Sequence, residues 1–277
     1  MRSRQSLSFP ALIWFAAFVL LPLLIVLAVS FATRGTYGGL EWTLTFENYV
    51  HAFSWTSFAI FLESLKLALL TSVTCAVLGV LMAWAMSTAS LKQRQFYVAA
   101  LALPFLTNVV IRIYALRLFV GFDGPLQAVL KFTGIEFDPF MLTQNQFLVF
   151  YGMVTTYLPF MVLPLYGAFE KFDFALVEAA QDLGASAWTI LRTVILPNLK
   201  KPLASGFLLV FIPSLGEFLI PDLLGGAKTM LYGNLITEQF LKARNWAQGS
   251  ALAILLIVML LVIVFVFTRK KGAEHGS

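Results

Sequence analysis

Residues 245–268 read NWAQGSALAILLIVMLLVIVFVFT, a run of 24 residues without one charged side chain. A bilayer core of ~30 Å takes ~20 apolar residues at ~1.5 Å rise per residue, so this stretch is long enough to cross as a helix. Arg269, Lys270 and Lys271 follow it at once, a basic flank of the kind that stays in the cytoplasm. Working back along the chain, residues 5–33, 67–91 and 139–169 pass the same test free of charge. Two further apolar runs carry embedded charges: residues 95–122 contain Arg112 and Arg117, and residues 202–224 contain Glu217 and Asp222. The pattern predicts six transmembrane helices, at about 10–32, 60–87, 96–119, 145–168, 202–221 and 247–267. The expected fold class is therefore all-α and polytopic, with residues 1–277 as one transmembrane domain.

Composition agrees. Of 277 residues, 60% are hydrophobic and only 12% charged, and the mean hydropathy is +0.85. Soluble domains are about half apolar and a quarter charged, so a water-soluble enzyme is excluded. One cysteine, Cys75, leaves no internal disulfide, and His51 and His275 are too far apart to form a local metal motif. Arg2 and Arg4 give the N-terminus the flank of a signal peptide, but the apolar run from Phe9 exceeds the usual core of ~7–15 residues. An uncleaved first helix is expected.

Six spans put both termini on one side. If that side is cytoplasmic, the inner segments hold Arg2, Arg4, Lys92, Arg94, Lys171, Arg192, Lys200, Lys201, Arg269, Lys270 and Lys271 of the 19 basic residues. Only Glu170, Asp173, Glu178, Asp182 and Glu274 oppose them. Such a bias in short loops sets orientation, and it accounts for the net charge of +5 without a nucleic-acid partner. The outer segments, about 34–59, 120–144 and 222–246, carry Glu41, Glu47, Asp123, Glu136, Asp138 and Glu238.

The inner segment 170–201 is longer than its role as a connector needs: EKFDFALVEAAQDLGASAWTILRTVILPNLKK. Asp173 suits an N-cap before a helix over Phe174–Leu183, and Gly184 stands where a C′ residue with positive φ belongs. Ser186 then caps a second short helix from Ala187 to about Val194, expected to stop before Pro197. Leu176, Val177, Ala180 and Leu183 give this elbow an apolar face toward membrane or partner. On these residues alone the elbow is either a docking element for another protein or a connector resting on lipid.

Glu178-Ala179-Ala180, then Gly184 after three residues, then Leu196-Pro197, resemble the EAA loop of the membrane subunits of bacterial ABC importers. The resemblance implies a type I importer permease fold and a coupling helix that enters a cleft of a separate ATPase. Glu178, Ala179, Ala180, Asp182 and Gly184 would make that contact. LTFENY (44–49), IRIYALR (111–117), YLPFMVLPLY (157–166), VFIPSLGEFLIPDLLGG (210–226) and RNW (244–246) further resemble the spermidine/putrescine permease family along nearly the whole chain. That resemblance implies a second homologous permease, two ATP-binding subunits, a periplasmic solute-binding protein and a small cationic cargo, in a bacterial inner membrane. Related branches carry opines, amino-acid derivatives or iron chelates.

Ionisable groups inside a span cost ~2.5–3.5 kcal/mol at the helix centre and mark functional candidates. Glu217 lies between Pro213 and Pro221, with Ser214 three residues before it, in a helix that prolines are expected to break. A carboxylate there is a candidate ligand for an ammonium group, with Tyr157, Phe160 or Phe218 adding cation–π attraction. The alternative is that Glu217 pairs with Arg112 and serves packing or gating. Asp222 is a candidate for the outer mouth. Arg112 shares a helix face with Asn108, expected to line the same passage. A cation pathway requires Arg112 to pair with a carboxylate or to mark a gate; an anionic cargo would make it the principal ligand. Glu63 and Lys66 are spaced for a local ion pair.

No phosphate-binding loop is present: in Gly225-Gly226-Ala227-Lys228-Thr229, Ala227 and Asp222 stand where its glycines are required. No nucleophile–base set or metal cluster is visible. The chain is thus expected to be no enzyme and to hold no cofactor, with ATP and Mg²⁺ on a partner. An ATP-independent channel subunit and an intramembrane enzyme are the rival classes.

Overall fold

The computed structural model describes residues 13–35, 39–122, 124–133, 145–226 and 229–273, with side chains in the last helix described to Phe265. Arg2, Arg4, Asp123, Glu136, Asp138, Ala227, Lys228, Glu274 and His275, and the side chains of Arg269, Lys270 and Lys271, lie outside the described residues. The described chain is helical apart from one short hairpin, in which β1 (Thr33–Arg34) runs antiparallel to β2 (Leu40–Glu41). Among the described residues, five helices are long and apolar enough to cross a membrane, and a bent pair makes a sixth if counted as one span.

The chain divides into two compact units. One comprises Met1–Phe61 and Tyr232–Ser277. In it, α1 (Ile13–Ser30) and the short α2 (Glu47–Ala52) pack on the C-terminal helix Trp246–Ala273. The LTFENY segment explains itself here. Asn48 Nδ2 donates to the carbonyls of Ser30 (3.0 Å) and Ala32 (2.7 Å), which the end of α1 leaves without helical partners. Tyr232 opens the helix Tyr232–Leu241 and is buried on the C-terminal helix, where its hydroxyl donates to the Leu252 carbonyl. Burial pushes its phenol up to about 12, so it remains a neutral donor.

The other unit is Leu62–Leu231. It contains most of α3 (Trp55–Thr88), then α4 (Leu91–Leu106), α5 (Val109–Val120), α6 (Pro125–Phe132), α7 (Gln146–Phe169), α8 (Ala175–Asp182) and α9 (Ala187–Leu215). Helix α7 is its centre: 56% of its most apolar window is buried, against 11% for α1 in the other unit. Pairing with α9 is close because Gly206 faces Met161. A Cβ on Gly206 would lie 2.7 Å from Met161 Sδ, so a larger residue requires the Met161 side chain to shift. Met161, Leu165 and Phe169 are fully buried there, with Cys75 of α3 and Val210 of α9.

Two expected spans differ in form. The third is not one helix over 96–119 but α4 and α5, separated by a break at Thr107–Asn108, with 95° between α4 and the stretch Val109–Phe132. Asn108 is extended (φ −61°, ψ 129°), and its side chain accepts the Val110 N–H, an N-cap inside an apolar run. The helix that contains the fifth begins at Ala187, ahead of residue 202, because Pro197 does not end it. Residues Leu191–Ile195 widen into a π turn, and the Leu196 N–H bonds back to Leu191 O. That spare residue gives the Pro197 ring its room, and the helix continues without a kink-breaking clash.

Candidate functional site

The elbow folds largely as its residues dictate. Asp173 Oδ1 accepts the Ala175 N–H at 3.0 Å to start α8. At the other end Gly184 has φ +75°, and the Ala185 N–H reaches back to Ala180 O at 3.0 Å, the six-to-one bond of a Schellman turn. Ser186 Oγ then accepts the Thr189 N–H and caps α9. Glu178, Ala179, Asp182 and Gly184 are exposed, whereas Ala180 is half-buried against the core. The expected apolar face is split. Val177 turns inward (7% exposed), while Leu176 and Leu183 stay exposed. Val177 joins Val80, Trp84, Ile190 and Ile195 in the wall of a cavity of about 290 Å³.

At the far end of α9, helix stops at Leu215 and resumes at Leu219, leaving Gly216, Glu217 and Phe218 between. Glu217 caps the resumption. Its Oε1 accepts the N–H groups of Phe218 (3.1 Å), Leu219 (2.9 Å) and Ile220 (3.3 Å), and its Oε2 accepts the hydroxyl of Tyr157 from α7. A carboxylate at a helix N-terminus meets both the free donors and the positive end of the dipole. Next, Pro221–Gly225 form a π turn with Leu224 buried against α7 and Asp222 exposed. Ser214 is fully buried, and its Oγ has no hydrogen-bond partner among the described residues.

Glu217, Tyr157 and Phe160 therefore come together, with the Tyr157 and Phe160 rings 6.4 Å apart. Phe105 from the end of α4 meets Phe160 edge-on at 5.2 Å, a neighbour that sequence spacing does not reveal. The expected pairing of Arg112 with a carboxylate is not found among the described residues. Arg112 Nη1 donates to Pro104 O (3.2 Å) and Nη2 to Thr156 Oγ1 (3.3 Å), and its Nε has no partner among the described residues. The reason is the bend: the last carbonyls of α4 lose their helical partners, and a guanidinium one turn into α5 is the nearest donor. Asn108 lies exposed at that bend, its side chain committed to its own cap. Beside it, Pro104, Thr155, Leu158 and Tyr97 wall an apolar cavity of about 400 Å³.

A second polar cluster escaped the sequence reading. Arg94, near the start of α4, pairs with Glu170 at the end of α7, donates to the Tyr166 hydroxyl and lies 5.2 Å from that ring's centroid. The partners are more than 70 residues from Arg94, so no local spacing announces them. Glu63 and Lys66 do form the expected ion pair, at 3.7 Å.

Residues 76–270 match the family described as binding-protein-dependent transport system inner membrane component. The chain belongs to this family. The spermidine/putrescine transport system permease protein PotB of Haemophilus influenzae is 41% identical over 256 residues, covering 92% of this chain and 90% of that one. PotB of Escherichia coli K12 is 38% identical, covering 92% and 93%. A chain of the crystal structure of a bacterial alginate ABC transporter in complex with a pentasaccharide-bound periplasmic protein superposes with a TM-score of 0.79. It covers 99% of this chain and 95% of its own length at 20% identity, a likeness of fold. The fold is thus that of an ABC importer permease of type I: an all-α, multi-pass membrane protein and a transport component, not an enzyme.

Proposed function

We propose that this chain is the membrane-spanning permease subunit of an ATP-driven ABC importer for polyamines, spermidine or putrescine. The observation that carries this reading is the 41% identity to a spermidine/putrescine permease across 92% of the chain. Residues 1–277 act as one permease domain that builds half of the passage; a second, homologous permease builds the other half. Two ATP-binding subunits and a periplasmic solute-binding protein complete the assembly in the bacterial inner membrane, with both termini of this chain cytoplasmic. The chain holds no cofactor; ATP and Mg²⁺ belong to the ATPase subunits. Glu178, Ala179, Ala180, Asp182 and Gly184 on the elbow meet the ATPase, and its movement rocks the helices between inward- and outward-open states.

Cargo passes Glu217, Ser214, Tyr157 and Phe160, with Asn108 and Arg112 at the bend of the third span and Asp222 at the mouth. An ammonium group approaching Glu217 replaces the Tyr157 hydroxyl on Oε2, while Oε1 stays on its three backbone donors. Arg112 serves as a gate, its positive charge opposing cations until the passage opens. That same guanidinium favours a second reading, an importer of an anionic or zwitterionic solute such as an opine.

Uptake into proteoliposomes carrying the whole assembly, driven by ATP and a polyamine-loaded binding protein, tests the function. Saturable spermidine or putrescine uptake is expected; none for any polyamine overturns the cargo. In the same assay Glu217→Gln keeps the backbone cap but loses the charge, and polyamine uptake should fall about tenfold, near 1.4 kcal/mol, with assembly intact. Unchanged kinetics remove Glu217 from the passage.

A further inference from the structure

The end of the first span fixes a height in the membrane, and α2 is fastened to that end. Asn48 holds the Ser30 and Ala32 carbonyls, and the Tyr49 hydroxyl is 2.7 Å from Ser30 Oγ. The next span starts at Trp55. Residues 42–55 are thus bracketed by two span ends and lie at the boundary between hydrocarbon and water.

At about 100° per residue, α2 and its flanks divide into three sectors. Asn48 and Ala52 face the protein, at 8% and 5% exposure. Glu47 and His51 form an exposed polar sector. Phe46, Val50 and Phe53 form the third, at 72%, 71% and 66% exposure. Mean directions of the three lie roughly 120° apart on this count. A helix lying in the membrane plane against its own protein needs this arrangement: one side to the protein, one to lipid, one to water. Trp42, Leu44 and Trp55, all exposed, extend the apolar sector on both sides. Tryptophan suits that depth, with an apolar ring and one N–H for the headgroups.

We propose that Phe46, Val50 and Phe53, flanked by Trp42 and Trp55, lie in the bilayer leaflet reached by the end of the first span, at the boundary of headgroups and acyl chains. The α2 segment is then a lipid anchor that holds the first span at a set depth, rather than a surface for a protein partner. Continuity favours lipid: α1, to which α2 is pinned, exposes apolar side chains along most of its length.

Nitroxide accessibility in the assembled transporter, in lipid nanodiscs, is the test. Single variants Leu44→Cys, Val50→Cys, Phe53→Cys and the control Glu47→Cys are labelled; native Cys75 is fully buried and stays unlabelled. Collision with oxygen relative to a water-soluble nickel chelate should be several-fold higher at positions 44, 50 and 53 than at 47. Equal ratios overturn the proposal, as does loss of access to both reagents only when the binding protein is added. A label-free check is quenching of tryptophan fluorescence by brominated lipid. The double variant Trp42→Phe, Trp55→Phe should lose a large part of it, and unchanged quenching also overturns the proposal.

Discussion

The chain interrupts its helices at Gly184 and at Glu217, and the two breaks are closed by opposite means. At Gly184 an exposed glycine takes a positive φ, and the turn's bonds are all between backbone groups. Nothing lies within 4 Å of where its side chain would be, so only backbone conformation demands glycine there. At Glu217 three N–H groups of the resuming helix converge on one carboxylate oxygen, and a tyrosine from α7 takes the other. Water can satisfy a break at the surface; inside an apolar bundle the protein must supply the partners itself. A break of the second kind therefore carries a charge as part of its own structure.

The sharpest way to break this contrast is Glu217→Ala, which removes the acceptor of three backbone donors, one exposed and two half-buried. A half-buried group left unsatisfied costs up to about 1–3 kcal/mol, so the purified assembly should lose several degrees in thermal unfolding and all polyamine uptake. A variant as stable as the parent would mean that water caps the break. Gly184→Val should do less to stability, about 1–2 kcal/mol for strained backbone, yet abolish coupling: ATP hydrolysis persists while uptake falls at least tenfold. Uptake at the parental rate would separate the elbow from the ATPase. Smallest is Ser186→Ala, which removes the cap on the start of α9. About 1 kcal/mol is expected, seen as faster amide exchange at Ala187–Thr189 with uptake nearly unchanged.

How legible these features were follows from the range of the forces behind them. Spans were readable because hydrophobicity sums over ~20 residues, and the elbow because Asp173, Gly184 and Ser186 act within three or four residues of themselves. The bend at Asn108 was within reach as well. An asparagine in an apolar run is a cap signal in its own right, and Asn108 acts as one. Continuation of α9 through Pro197 was not legible, since a π turn has no dependable sequence signature. The partners of Arg112 are not legible, because charge suggests charge whereas the bend offers the Pro104 carbonyl and Thr156 close at hand. Arg94 with Glu170 and Tyr166 required knowing which helix ends meet, which only tertiary packing decides.

The extra residue in the π turn at Leu191–Ile195 sets an angular phase. An α-helix turns about 100° per residue, so deleting one residue from this turn would restore ordinary winding and swing α8 around the axis of α9 by roughly that amount. Pro197 would lose its clearance at the same moment. The five residues thus set the bearing of α8 about the axis of α9, and insertions or deletions there are expected to redirect the elbow rather than to loosen it.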